Sequence, residues 1–327
     1  MTEKGKAAWF LALLSPLMAE MLSGSSPPVE FSLGLGFLFL IPMYGGGALL
    51  VRELTLRWGK GWASVVMLGA AYAIVEEGIA VKSFFDPRWV DLGDLGTYGR
   101  FLEVNWVWTV WLTIFHCVVS ITLPILALGL WYPRMRREPL LTPRQFKLVG
   151  WLFVADIAVC AVMFVSLQEY VPPPVQYAAC FVAVYLLYEA ARRAPKDLVS
   201  ARHPTPSWRP LWFLALGAVF MILGMVFGMG APRWLPPAVT IAVLFMVCGA
   251  TLLVLQHRMG SARNSVHKAF FVTGVLLLMI LIAPFHELGG GMAGMTLAGI
   301  GFAVFCYMLV RRTVAHESAA GGGRPQA

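Results

Sequence analysis

NWVWTVWLTIFHCVVSITLPILALGLW, residues 105–131, holds no Asp, Glu, Lys or Arg and is followed at once by the basic run Tyr132-Pro-Arg-Met-Arg-Arg137. As a helix it reaches about 40 Å, more than the ~30 Å of a bilayer's hydrocarbon core. Lipid offers backbone groups no partners, so a segment this apolar closes its hydrogen bonds within itself as a helix. The pattern repeats outward in both directions, near 8–23, 32–51, 62–80, 148–168, 175–190, 210–229, 236–255, 269–286 and 292–310. Across the 327 residues 59% are hydrophobic and 13% charged, where soluble domains carry about 25% charged residues. The expected fold is all-α, a polytopic membrane helix bundle of about ten transmembrane helices. A soluble domain is excluded. Five scattered cysteines inside apolar blocks also exclude a disulfide scaffold.

The net charge of +8 does not point to nucleic acid, because the basic residues lie between spans. All but Lys82, Arg88, Arg100 and Arg233 of the 25 Lys and Arg fall in alternate joins or at the termini. The positive-inside rule then places both termini in the cytoplasm and the protein in the cytoplasmic (inner) membrane. Lys4 and Lys6 before the first apolar block mimic a signal peptide, but no A-x-A-like site follows and Ser15-Pro16 interrupts the run, so the first helix is expected to be retained. Residues 1–312 read as a single transmembrane domain, with a polar half 1–131 and a scaffold half 148–312. Residues 313–327 read as a disordered cytoplasmic tail. The long outer join 81–104 mixes Phe84, Phe85 and Trp89 with charges. It reads as an interfacial aromatic anchor, or alternatively as a lid over the helices.

Ionisable groups are costly inside lipid, so each requires a reason. Glu20, Glu76, Glu77, His116 and Asp156 lie within spans, and His286 and Glu287 lie at the outer rim. Counted at about 1.5 Å per residue, Glu20, Glu76 and His116 fall at similar depth in the outer half, with Asp156 deeper. Adjacent Glu76 and Glu77 diverge by about 100° on an α-helix, so one is expected to face a site and the other a neighbour or Lys82. His116 and Ser120 share a face. The glycine triplets 45–47 and 289–291, with Pro16, Pro42 and Pro124, suggest close approach or broken helices around a watered cavity. An ordinary interhelical hydrogen-bond network is the alternative for the whole set.

The stretch AYAIVEEGIAVKSFF, Ala71 to Phe85, resembles the paired-glutamate helix of the CAAX-prenyl-protease-like and PrsW-like intramembrane proteases. Glu76 and Glu77 match the paired glutamates, and Ile114-Phe115-His116 echoes their Phe-x-x-x-His helix. The resemblance covers about 50 residues and implies a glutamate that activates water with help from histidine. Lys82 follows later than the basic residue of those families, and Phe115 directly precedes His116 instead of standing four before it.

These features support an intramembrane hydrolase with an outward-facing Glu/His site. Glu76, Glu77 and His116 are its candidate catalytic residues; Glu20, Phe85, Trp89, His286 and Glu287 are the candidate substrate-binding residues. Its substrate would be a membrane-embedded peptide or a lipid-linked molecule from the bilayer. A divalent metal held by the Glu and His groups is compatible, although no H-E-x-x-H spacing specifies one. A proton-coupled secondary transporter would use the same groups. A membrane assembly or scaffold protein is the third reading.

Overall fold

Proline at the first helical position sets where four of the apolar runs begin to coil, because its missing N–H is unpaired there anyway. The computed structural model describes residues 1–33, 36–231 and 234–321. Helix α1, Glu3–Pro16, continues through a π turn, Leu17–Met21. The short α2, Pro28–Leu33, leads to α3, Gly36–Arg57, then α4, Trp62–Ala80, and α5, Trp106–Trp131. Four proline-initiated helices follow: α6 Pro143–Gln168, α7 Pro174–Arg193, α8 Pro210–Gly230 and α9 Pro237–Arg258. The first of these has a full capping box, Thr142 with Gln145. The bundle closes with α10, Ser265–Gly290, and α11, Met295–Gly321.

Among the described residues nine helices, α3 to α11, are long and apolar enough to cross a membrane. The remaining expected span is α1 with its π turn, which carries Glu3, Lys4, Lys6 and Glu20 and lies outside that set. Contacts sort the joins onto two faces. On one, Lys4 pairs with Glu138 at 3.5 Å, Arg57 donates to Leu141 O at 2.7 Å, and Lys60 donates to Ala194 O at 3.0 Å. Arg202 N meets Gln256 O at 2.8 Å, and Arg312 meets Trp131 O at 2.9 Å. On the other face Arg88 donates to Gln168 O, Gln176 to Leu102 O and Tyr98 to Leu235 O. With α1 included, the helices therefore alternate in direction, and the chain starts and ends at the basic face.

The tail differs from expectation. Helix α11 continues through residues 313–321, where Thr313 is 1% exposed and Glu317 accepts the Ser265 amide at 2.6 Å. Capping the next-to-last helix gives this segment a partner that periodicity could not reveal. Residues 322–327 of the expected tail lie outside the described residues.

Helix α4 sits at the centre: 72% of its most apolar stretch is buried, against 11% for α7. Large side chains such as Trp151, Val162, Val175 and Met246 stay exposed on α6, α7 and α9, and these faces meet the lipid bilayer. Close approach requires glycine at the centre. A Cβ on Gly45 would stand 2.3 Å from Ala12 O, and one on Gly47 would stand 2.3 Å from the Tyr72 ring. These glycines bring α1 and α4 onto α3 by packing tightly, and so do not line a watered route. Gly289 and Gly290 have nothing within 4 Å, and Gly291 ends α10 with φ 70°.

The join between α4 and α5, on the face opposite the basic joins, folds inward. Phe84 and Phe85 are each 2% exposed, so they belong to the core and not to an interfacial anchor. A two-stranded hairpin, β1 Arg100–Phe101 and β2 Val104–Asn105, turns through Leu102 and Glu103, both at positive φ. Asn105 donates to Ser83 O and Asp86 O, each at 3.2 Å, and accepts from Arg100 at 2.7 Å. One buried amide thus ties both ends of the loop together.

Candidate functional site

Four helices leave α geometry where they meet; a fifth π turn, Val226–Gly230 of α8, carries no polar side chain. Besides the π turn of α1, segments Ile41–Gly45 of α3, Ile74–Ala80 of α4 and His116–Thr122 of α5 are π-wound. Each has a proline in or beside it except the turn of α4. Pro16 precedes the first, Pro42 lies in the second and Pro124 follows the fourth, where a missing N–H breaks the regular ladder. These four turns carry Glu20, Tyr44, Glu76, Glu77, His116 and Ser120.

The side chains form one chain of contacts. Ser26 Oγ donates to Glu20 Oε2 at 2.8 Å, and the Tyr44 hydroxyl lies in hydrogen-bond contact with carboxyl oxygens of both Glu20 and Glu76. His116 Nδ1 stands 3.2 Å from Glu76 Oε2 and 2.9 Å from Ser120 Oγ; its Nε2 stands 2.9 Å from Glu77 Oε1. Ser83 Oγ, from the join between α4 and α5, donates to Glu77 Oε2 and accepts from Trp108 Nε1 at 3.0 Å. Glu76, Glu77 and His116 are 1%, 8% and 3% exposed, so bulk water is excluded from the centre. The expectation that only one glutamate faces inward is corrected: both reach the same imidazole. Wider winding over Ile74–Ala80 reduces their divergence, and a long side chain covers the rest.

The remaining candidates separate. Glu287 does not reach the centre; its carboxylate accepts Gly294 N at 3.1 Å and Thr296 N at 2.8 Å and so caps α11. His286 packs beside Gly24, against the turn that follows Glu20. Phe85 is core, and Trp89 packs at a tilt against Phe164 with ring centroids 5.6 Å apart. Lys82 pairs with neither glutamate and donates instead to Ala80 O and Ala161 O. Asp156 stays outside the network.

Glu76, Glu77 and His116 each offer one ligand atom, all within 4.8 Å of one another. Two carboxylate oxygens and an imidazole nitrogen suit a zinc-like divalent ion as a partial shell. Glu20 connects to them only through Tyr44, and His286 lies elsewhere, so the wider ligand set is not assembled.

A family model described as an uncharacterised membrane protein family matches residues 9–319. The chain belongs to that family. No curated protein and no solved structure matches it. The matched stretch runs from α1 into α11 and takes in every residue of the polar network. Multi-pass membrane character follows from it; the resemblance to glutamate-type proteases gains no support. Sequence reasoning missed Tyr44 and Ser83. Tyr44 had a signal, a phenol between Pro42 and a glycine triplet, whereas Ser83 depends on the fold of a loop.

Proposed function

We propose that the buried Glu76–His116–Glu77 centre is the acid–base site of an intramembrane hydrolase opening toward the face opposite the basic joins, which the charge rule makes the outside. The observation that carries this reading is the single imidazole held between two carboxyls, with Tyr44 beside them. A neutral imidazole has one N–H, and a phenol has one O–H. Tyr44 facing Glu20 and Glu76 therefore requires one of those carboxyls to hold a proton and donate it. The centre contains three carboxyls, one imidazole and no permanent cation, so it stores exchangeable protons. Glu77 as general base would take a proton from the water whose oxygen attacks the carbonyl carbon, and the Tyr44 hydroxyl would donate to the oxygen that gains charge; His116 would hold the proton and pass it to the departing nitrogen or oxygen as its bond to that carbon breaks. A divalent ion held by Glu76, Glu77 and His116 would instead supply Lewis acidity at the carbonyl, in place of that proton relay. The substrate is a membrane-embedded peptide or a lipid-linked ester or amide, reaching the centre once the 81–105 loop lifts.

The test is hydrolysis of transmembrane peptides in proteoliposomes by the purified protein, read by mass spectrometry, beside Glu77→Gln and His116→Gln. Turnover by the wild type that falls at least about 100-fold in both variants supports the reading. Turnover that survives Glu77→Gln removes it. A carrier is the second reading, favoured by the run of close polar contacts from half-buried Glu20 and Ser26 inward to Glu77. Proton flux in the same vesicles, lost in Tyr44→Phe, would select it.

A further inference from the structure

A second feature lies between α4, α5, α8, α9 and α10, and its lining shares no residue with the acid–base centre. It is a cavity of about 480 Å³, within the range of roughly 300–1,000 Å³ typical of small-molecule sites. Its depth is apolar, with Val118, Phe220, Phe245 and Leu252 in the walls. Its end at the basic face is polar, formed by Gln256, Asn264 and Lys268. From Gln256 to Phe245 along α9 the cavity extends about 16 Å, an elongated apolar slot that suits an extended hydrocarbon chain.

A smaller cavity of about 300 Å³, lined by Arg136, Arg263, His316 and Glu317, adjoins its polar end. Asn264 and Lys268 line the first cavity and Ser265 lines the second, so one turn of α10 separates them. Lys268 lies near enough to Arg136 and Glu317 to feel both charges. Among the described residues, none of Arg136, Arg263 and Lys268 has a carboxylate within ion-pair distance. Glu317 is turned to the Ser265 and Val266 amides. Two unpaired arginines, with the Lys268 amine beside them, against one occupied carboxylate leave an anion-seeking pocket at the mouth of an apolar slot.

We propose that this pair of cavities binds an anionic phospholipid from the leaflet at the basic face. One hydrocarbon chain fills the slot, and the phosphate lies among Arg136, Arg263 and Lys268. Basic pockets between transmembrane helices on the cytoplasmic side are suited to anionic headgroups, and a chain in the slot restores packing contacts that its walls otherwise lack. The inference is independent of the hydrolase reading, because none of these residues belongs to the acid–base centre.

The test is native mass spectrometry of the purified full chain with equal amounts of dioleoyl phosphatidylglycerol and dioleoyl phosphatidylcholine. At about fivefold per cation, the wild type should retain phosphatidylglycerol at least fivefold over phosphatidylcholine. Arg136→Gln with Lys268→Gln should abolish that preference. Filling the slot from either side, by Val118→Phe or Thr251→Phe, should reduce retention of both lipids; a variant that no longer runs as a monodisperse species is replaced by the other. Equal retention of the two lipids by the wild type overturns the proposal. So does a preference that survives loss of both cations, or full retention in the filled variants. Displacement of the lipid by millimolar inorganic phosphate would show that the pocket takes a free anion and that the slot plays no part.

Discussion

Replacing Glu77 by Leu should destabilise the protein more than the same change at Glu76, because the two glutamates leave different orphans behind. Glu77 accepts from Ser83 Oγ and faces His116 Nε2 at 2.9 Å, and that ring nitrogen has no other partner among the described residues. Ser83 Oγ still accepts from Trp108, but its own proton loses its acceptor. Glu76 contacts the Tyr44 hydroxyl and His116 Nδ1, and both have a second partner, Glu20 and Ser120. An orphaned buried polar group costs about 1–3 kcal/mol in soluble proteins, whereas interhelical hydrogen bonds in a membrane average ~0.6 and reach ~1.7 kcal/mol. The membrane scale is the relevant one here. Two orphans then give roughly 1–3 kcal/mol for Glu77→Leu, and alternative partners keep Glu76→Leu below about 1 kcal/mol.

Glu77→Gln keeps the shape and an acceptor oxygen, so it should cost less than about 1 kcal/mol. Reversible unfolding of the three variants in one mixed-micelle condition measures the differences. Ser83→Ala combined with Glu77→Leu should be less than additive, because the two share a contact. Glu76→Leu proving as costly as Glu77→Leu would refute the account of alternative partners. A Glu77→Leu protein as stable as the wild type would show that the imidazole has no need of that carboxyl.

Ser15→Ala should lower stability by about 1 kcal/mol, since its hydroxyl faces the carbonyl oxygens of both Tyr44 and Ser120; thermal melting checks it. Gly45→Ala should cost about 1–3 kcal/mol through overpacking against Ala12, while Gly289→Ala, in open space, should leave the melting temperature unchanged. Cysteines placed at Arg136 and Ala194 should resist an impermeant thiol reagent in intact cells, and one at Gly93 should react; labelling at 136 would reverse the orientation.

The spans were legible because lipid imposes a length and a composition that few other environments require. The convergence of Glu76, Glu77 and His116 was half legible. Depth counting placed them at one level, but nothing in a linear sequence says which helices adjoin. The orientation of the glutamates was illegible for a narrower reason: an angle of about 100° per residue holds only where the helix is α. Pro16, Pro42 and Pro124 marked three of the four irregular turns around the centre, whereas the turn of α4 has no proline of its own. The inward fold of residues 81–105 rests on Asn105 and Arg100 meeting backbone atoms about 20 residues upstream, a long-range arrangement that composition does not encode.

The π turns also explain why the polar centre can exist in lipid. A turn that skips from i+4 to i+5 bonding disturbs the carbonyls at its edges, and those need donors from elsewhere. Ser15, fully buried at the end of α1, meets two of them: Tyr44 O at 3.1 Å on α3, and Ser120 O on α5. A single hydroxyl thereby joins three irregular helices beside the Glu–His cluster. The glycines of α3 permit this approach, since a side chain at Gly45 would collide with Ala12, three residues before Ser15. Small residues, irregular turns and buried acids are thus parts of one arrangement. Straight α-helices would leave Glu76 and Glu77 on diverging faces, and one carboxyl would be left in hydrocarbon without the partner that makes its burial tolerable.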